Sequence, residues 1–451
     1  MNDIINGISR RDFIRRTAAT AAACAAPCFV PASVLGANAP SNRFNVGSIG
    51  VGNMGFTNLK GFLHKDQCRV VAVCDVNAAG YYKTATQFRG REPALELVNS
   101  HYADKKRSGQ YKGCDGYTDF REVIARDDID IVCVTTPDHW HAIPVIMAAR
   151  AGKHIYCEKP LSLTVAEGRT MADAVNRYGV TLQMGTMHRS QKLNRFACEL
   201  VRNGRIGRLK RIVVVLGRHG LRKDVDNWQP MPVPKGFDYN MWLGPAPWAP
   251  YHKDRCFYTF RFGEDYSGGE ATNTGAHCFD IAQWGNNTEY TGPIEVEDLG
   301  SEWPTDGLYS TATKVHFRAR YANGVELLAV PHGTEGWYLA RFEGTEGWLT
   351  TSDRRINSYP ESLKTSVIGP NEIHLYKSDD HKQNFLDCIR THRDPITPVE
   401  VGHRSATICH IANIAMKLHR KLRWDPDKEL FIGDDQANRM LSKPMRAPWH
   451  L

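Results

Sequence analysis

Apolar positions fall into short, nearly unbroken runs along the first part of the chain, separated by longer stretches with helical spacing. Residues 44–49, 69–74, 129–134, 154–157 and 181–184 read as strands. Residues 54–64, 120–125, 142–151 and 164–178 read as the helices between them. Alternation of this kind predicts a parallel sheet, and a run as apolar as 129–134 suits a strand covered on both faces. The stretch 87–116 is polar, basic and poorly periodic, so it reads as a loop-rich insertion with a short helix over 93–102. Beyond Gly185 the texture changes. Residues 209–216, 312–321, 325–330 and 338–343 are β-like, with Asn323-Gly324 and Gly344-Thr345-Glu346-Gly347 as turns, which predicts a second, largely antiparallel domain. A Pro- and aromatic-rich excursion over 228–262 holds Trp242-Leu243-Gly244-Pro245-Ala246-Pro247-Trp248, and reads equally as a wall or subunit-contact loop and as direct ligand contact. Helical patterns return at 380–391 and 401–421, ahead of a tail closing Arg446-Ala447-Pro448-Trp449-His450-Leu451.

The first strand runs into Gly50-Val51-Gly52-Asn53-Met54-Gly55, and the second ends at Asp75. Glycines spaced G-x-G-x-x-G after a strand, with a carboxylate about twenty positions on, form the dinucleotide fingerprint of a βαβ unit. Gly50 would allow the tight turn, Gly52 would admit a pyrophosphate to the backbone, and Gly55 would let the helix approach the sheet. The helix start at Asn53 and Met54 then offers N–H groups to the anion. Asp75 would accept a ribose 2′-hydroxyl and repel a 2′-phosphate, which favours NAD over NADP.

Two further strands end in polar loops on the same edge, where open α/β sheets bind ligands. One is Thr136-Pro137-Asp138-His139-Trp140-His141 and the other is Glu158-Lys159-Pro160. Lys159 beside a cofactor could hydrogen-bond a substrate hydroxyl and favour the developing alkoxide; the competing reading is a surface ion pair with Glu158. Trp140 could stack on a sugar ring or simply pack in a core. His139 and His141 lack a third ligand at fitting spacing, so no metal is expected.

A length of 451 residues predicts two domains, and 42% apolar with 24% charged content is globular rather than disordered. The formal charge of +8 is spread along the chain, with +2 in the first 39 residues and no basic run interleaved with aromatics, so no nucleic-acid partner is expected. Ser9-Arg10-Arg11-Asp12-Phe13-Ile14-Arg15 and the alanine-rich stretch after it read as a twin-arginine export signal occupying 1–39, too weakly apolar to span a membrane. Cys24 could be a lipidation site, though its surroundings fit that poorly. Export implies a periplasmic protein that carries its cofactor with it. Of 12 cysteines, ten follow the leader without any C-x-x-C pair, and their spacing predicts no disulfide.

Taken in order, the fingerprint, the Thr-Pro-Asp-His-Trp-His segment, the Glu-Lys-Pro triplet, Met184-Gly185 with His188-Arg189, and Gly268-Gly269 leading to Gly275-Ala276-His277 resemble the Gfo/Idh/MocA family. That family is named for glucose-fructose oxidoreductase, inositol dehydrogenase and a rhizopine-catabolism protein. The Trp-Leu-Gly-Pro-Ala-Pro-Trp loop and Arg-Ala-Pro-Trp tail resemble a branch frequent among exported bacterial members. The resemblance implies an α/β protein: a Rossmann domain over 40–186, and over 187–451 an α/β domain with a large open, mostly antiparallel sheet, its last helices and tail packing back on the first domain. It implies a homodimer or homotetramer acting on a small carbohydrate, with Lys159 as the active-site lysine and His277 as the base. Cofactor contacts would come from Gly50, Gly52, Asn53, Met54, Gly55, Asp75, Thr136, Pro137, His139, His141, Glu158 and Lys159. Trp140, His188, Arg189, Lys159 and His277 would line the substrate pocket. The family's Asp, four residues before that His, is Asn273 here; an amide can orient His277 but cannot stabilise an imidazolium, and Asp280 could supply the missing charge. Three functions follow from the resemblance. The first is an NAD-dependent sugar or glycoside dehydrogenase. The second is a glycoside hydrolase that oxidises its sugar transiently, although such relatives depart at the Glu-Lys-Pro triplet kept here. The third is a non-catalytic sugar-binding protein.

Overall fold

The computed structural model describes residues 42–82, 86–105, 108–217, 227–331, 338–352 and 354–451. The twin-arginine leader with Cys24 and the basic pair Lys106-Arg107 lie outside them. Among the described residues the first sheet has six strands: β1 (Phe44–Ile49), β2 (Cys68–Cys74), β3 (Asp115–Tyr117), β4 (Ile131–Val134), β5 (His154–Cys157) and β6 (Leu182–Met184). Their order is β3-β2-β1-β4-β5-β6 and every pairing is parallel. The order reverses between β1 and β4, the place where doubly wound sheets hold ligands beyond their carboxyl ends.

Parallel strands buried on both faces need apolar cover on each side. Helices α1 (Asn53–Leu63) and α2 (Arg91–Ala103) lie on one face, where Val46, Val70 and Phe62 form a core. Helices α3 (Ala142–Arg150) and α4 (Val165–Tyr178) cover the other, with Val134, Ile155 and Met171 beneath them. Helix α4 is closed at both ends by its sequence. Thr164 accepts from Glu167 N at 3.2 Å, Glu167 accepts from Leu163 N at 2.8 Å, and Gly179 ends the helix at φ 63°. This is the reciprocal capping box with a left-handed glycine after the last turn.

The second sheet has nine strands: β7 (Leu209–Leu216), β8 (Pro293–Asp298), β9 (Phe317–Tyr321), β10 (Glu326–Pro331), β11 (Ala340–Gly344), β12 (Trp348–Thr351), β13 (Ile356–Tyr359), β14 (Leu422–Asp425) and β15 (Leu430–Phe431). The order is β13-β12-β11-β7-β10-β9-β8-β14-β15, antiparallel except for the β7–β10 pair. Alternation in β9 and β10 turns Phe317, Ala319, Leu327 and Ala329 into a core shared with α5 (Lys192–Arg202), α6 (Gly275–Asn286) and α8 (Val399–Leu418). Both sheets belong to one compact unit over residues 44–451. Helix α7 (His381–Thr391) and α8 return to the first sheet: Phe385 meets Tyr156 of β5, and Val399 and Ala406 join the core beneath α4.

Sequence and structure differ in places. The insertion holds a 13-residue helix and strand β3, not a short helix in loops. The strand expected over 312–321 begins only at Phe317. Strands β8, β12, β13 and β14 and helix α5 were not anticipated. β8 reads Pro-Ile-Glu-Val-Glu-Asp, and acidic residues on the outer face of a sheet mask the strand beneath.

Arg189 and Asp280 tie α6 to the turn before α5. The guanidinium donates through Nε and Nη2 to the two carboxylate oxygens at 2.9 Å each, and through Nη1 to Glu289 at 2.6 Å. Side-chain exposure is 2% for Arg189 and 1% for Asp280. Removing one partner strands the other's charge in the interior. Arg189→Met is therefore expected to destabilise the fold by about 3–5 kcal/mol, read as a lower denaturation midpoint at neutral pH.

Candidate active site

The strand-to-helix turn has the geometry its glycines allow. Gly50 takes φ +80°, and a Cβ there would lie 2.6 Å from the Thr135 carbonyl oxygen. A Cβ on Gly55 would stand 1.9 Å from the Gly50 oxygen, so helix and strand can meet only across a bare Cα. The N-terminus of α1 has no side-chain cap, leaving its first-turn N–H groups directed outward at Asn53 and Met54. Asp75 sits at the end of β2, its Oδ2 accepting from Val51 N at 2.9 Å and its Oδ1 from Asn77 N at 2.8 Å. Burial raises its pKa to about 6 against these hydrogen bonds, which oppose the rise. Thr136 Oγ1 is buried without a hydrogen-bond partner nearby. An uncapped helix start, an orphaned hydroxyl and a turn too close-fitting for side chains suit the phosphates and ribose of a dinucleotide.

From this turn a cleft of about 340 Å³ runs between the two sheets' loops. Asp75, Thr136, Pro137, Trp140, Glu158 and Lys159 line one side, and Phe257, Tyr258, Arg261, Ser267, Asn273 and His277 the other. Lys159 does not pair with Glu158. Its Nζ crosses the cleft to the Asn273 backbone oxygen at 2.7 Å and to Asn273 Oδ1 at 3.1 Å. The Glu158 Oε1 accepts instead from Asn58 Nδ2 at 2.9 Å. Burial, followed by the nearby charge of Arg261, lowers the Lys159 pKa.

His277 follows Asn273 by one turn and also faces the cleft. Burial and then the positive charge of Lys159 hold its pKa well below the ordinary imidazole value, so the ring is neutral near pH 7. Its Nδ1 is buried without a partner, and its ring lies edge-on to His188 with centroids 4.5 Å apart. The Asn273 amide does not orient it. Asn273 Oδ1 accepts from Lys159 and from Arg261 Nη1 at 2.7 Å, while Nδ2 donates to Glu270 at 3.3 Å.

Several residues singled out in the sequence are placed elsewhere. Asp280 and Arg189 bind each other and do not line the cleft, so Asp280 supplies no hydrogen bond to His277; Glu289 and Ser405 complete their partners. His139 is buried with Nε2 against the Trp242 carbonyl oxygen at 2.9 Å, and burial takes its pKa down to about 4. His141 is held between the Pro160 and Thr136 carbonyl oxygens at 2.7 and 2.9 Å. Both rings buttress the loop behind the cleft. Trp140 reaches the cleft but is also a keystone, donating Nε1 to the Trp242 oxygen at 3.0 Å and packing on Phe120 and Trp449. The 228–262 excursion divides its roles. Phe237, Tyr239, Trp242 and Tyr251 form an aromatic wall, of which Phe237 and Trp242 also reach the cleft, and Phe257, Tyr258 and Arg261 face it directly. Sequence reasoning passed over Arg261, Ser267 and Asp138. The last accepts from Ser267 Oγ at 2.5 Å, and burial raises its pKa. Asp138 stood inside the quoted segment, and Arg261 was marked only by its aromatic neighbours.

A parallel dinucleotide-binding sheet whose carboxyl edge faces an α/β layer with an open sheet defines a class of oxidoreductases that use nicotinamide cofactors. Residues 44–186 match the family model for the NAD-binding Rossmann fold of the oxidoreductase family, and residues 220–451 match that for its C-terminal alpha/beta domain. The chain belongs to the Gfo/Idh/MocA oxidoreductase family. An alpha-N-acetylgalactosaminidase of Shewanella oneidensis is 33% identical over 192 residues, which is 42% of this chain and 35% of that protein. A glycosyl hydrolase family 109 protein of a Shewanella species is 32% identical over the same share. The chain thus spans about a third of the length of the curated relatives it matches. Among solved structures, WlbA dehydrogenase of Bordetella pertussis with NADH and UDP-GlcNAcA has a TM-score of 0.58 at 17% identity, covering 85% of this chain and 99% of that one. Aldose-aldose oxidoreductase of Caulobacter crescentus has a TM-score of 0.56 at 20% identity, covering 84% and 99%. At such identities these structures share the fold.

Gly55→Ala is expected to abolish NAD binding in calorimetric titration, because the added methyl cannot fit beside the Gly50 oxygen. Asp75 takes up a proton as pH falls through about 6 and stops being an ionised acceptor. NAD affinity should accordingly weaken below that pH, and a flat calorimetric profile across it would count against a ribose contact at Asp75.

Proposed function

We propose that the protein is an NAD-dependent oxidoreductase acting on a hydroxyl of a sugar or glycoside. One observation carries the reading: Lys159 Nζ and the unpartnered Nδ1 of a neutral His277 share the cleft that begins at the glycine turn. The bound nicotinamide supplies the hydride acceptor. His277 takes the hydroxyl proton as general base, its low pKa leaving it unprotonated in the free protein. Lys159 donates to the same oxygen and stabilises negative charge as it develops. The Asp75 carboxylate favours NAD over NADP by repelling a 2′-phosphate. The dehydrogenase and aldose oxidoreductase among the similar structures support a sugar hydroxyl as the reacting group. The leader supports folded export with the cofactor aboard and a periplasmic location, and the open sheet supports a homodimer or homotetramer. No helix among the described residues is long and apolar enough to cross a membrane.

A second reading is favoured by the Shewanella relatives, whose names are those of glycoside hydrolases. In it the sugar is oxidised, loses its aglycone by elimination, gains water and receives the hydride back, so no net NADH forms. His277 and Lys159 keep the same roles in its first step.

Lys159→Met and His277→Ala should each lower kcat/KM by about 10²–10³ while NAD still binds. The wild-type profile of kcat/KM should stay flat through pH 6.5 and fall only in stronger acid, where the imidazole is protonated before substrate binds. Absorbance of NADH with a sugar panel tests the dehydrogenase; release of aglycone without NADH selects the hydrolase. Tight NAD binding with no hydride transfer to any sugar would leave a binding protein.

A further inference from the structure

Arg261 enters the cleft from the aromatic excursion and is held there rigidly. Its guanidinium lies 4.2 Å from the Tyr258 ring centroid, Nε donates to the Tyr258 oxygen at 2.9 Å, and Nη1 donates to Asn273 Oδ1 at 2.7 Å. Lys159 Nζ donates to the same oxygen at 3.1 Å. Two cations therefore share one neutral acceptor and stand within two hydrogen-bond lengths of each other. Neither makes an ion pair among the described residues. Among the described residues the nearby carboxylates act on Lys159 Nζ only through space and take their hydrogen bonds from neutral donors: Glu270 accepts from Thr274 Oγ1 at 2.7 Å and from the Asn273 amide, Glu158 from Asn58, and Asp138 from Ser267. A guanidinium stacked on a ring and out of contact with any carboxylate among the described residues presents its edge as a fork matched to a planar or tetrahedral oxyanion.

We propose that Arg261 is an oxyanion-binding specificity residue, and that the sugar acted on bears a carboxylate, phosphate ester or sulfate ester. The inference rests on the sugar reading above. Lys159 adds a second positive charge to the field around the anion while remaining on the reacting hydroxyl.

The test uses the full chain loaded with NAD. Calorimetry compares methyl glucuronide with methyl glucoside, and glucose 6-phosphate and glucose 6-sulfate with glucose, alongside the galactose counterparts. At least one acid should bind about tenfold or more tightly than its neutral partner, with the preference shrinking as salt rises. Which pair shows it identifies the oxyanion. Arg261→Met should erase the preference and Arg261→Lys should keep part of it. Equal binding across all pairs, or a preference that survives Arg261→Met, overturns the proposal. So does a tenfold loss of NAD affinity in Arg261→Met, which would assign the guanidinium to the cofactor's pyrophosphate. Hydride transfer is read separately by absorbance. A binding preference without NADH formation would sink the dehydrogenase and keep the subsite, whereas turnover of neutral sugars without any acid preference would do the reverse.

Discussion

One side chain, Asn273, holds the cleft in its arrangement. Its backbone and amide oxygens receive Lys159 from the end of β5, its amide oxygen receives Arg261 from the excursion, and its amide nitrogen reaches back to Glu270. Lys159, 114 positions away, and two nearer residues thus meet at one residue just before α6. A carboxylate there would pair fully with either cation; an amide accepts both hydrogen bonds and neutralises neither.

That neutrality sets the electrostatics of the cleft. Burial acts in the same sense on four ionisable groups around it, disfavouring charge: it raises the carboxyl pKa of Asp75 and Asp138 and lowers those of His277 and Lys159. What remains is a cleft in which the Lys159 and Arg261 side chains stand side by side, with an uncharged imidazole lining the same space, an arrangement that can accept a proton and tolerate a negative oxygen.

The parallel sheet was legible because its strands are buried on both faces and read as unbroken apolar runs, as in 131–134. The glycine turn was legible because each glycine answers to a separate steric demand. Strands of the open sheet were harder, since Glu295, Glu297 and Arg318 point outward and dilute the pattern. Lys159 was found from its position after a strand. His277 was found by resemblance, and its neutrality was not visible because desolvation depends on what surrounds it. Arg189 and Asp280 misled for a related reason. Each looked suited to chemistry by residue type, yet together they complete a buried ion pair. Arg261 escaped because its meaning comes from sharing the Asn273 oxygen with Lys159, which stands about a hundred positions earlier in the chain.

The wall of the cleft has one support from far along the polypeptide. Trp449 packs edge-on against Trp140 at 4.7 Å, and Arg446 bonds the Gly244 oxygen at 2.9 Å, where a glycine is needed because a Cβ would meet the Trp140 ring at 2.0 Å. The tail thus fastens the aromatic excursion to the loop after β4. During synthesis both of those segments leave the ribosome long before the tail does. The wall of the cleft can therefore take its final shape only once residues 446–449, about 200 positions beyond Gly244, have emerged, and until then the dinucleotide domain stays half-walled.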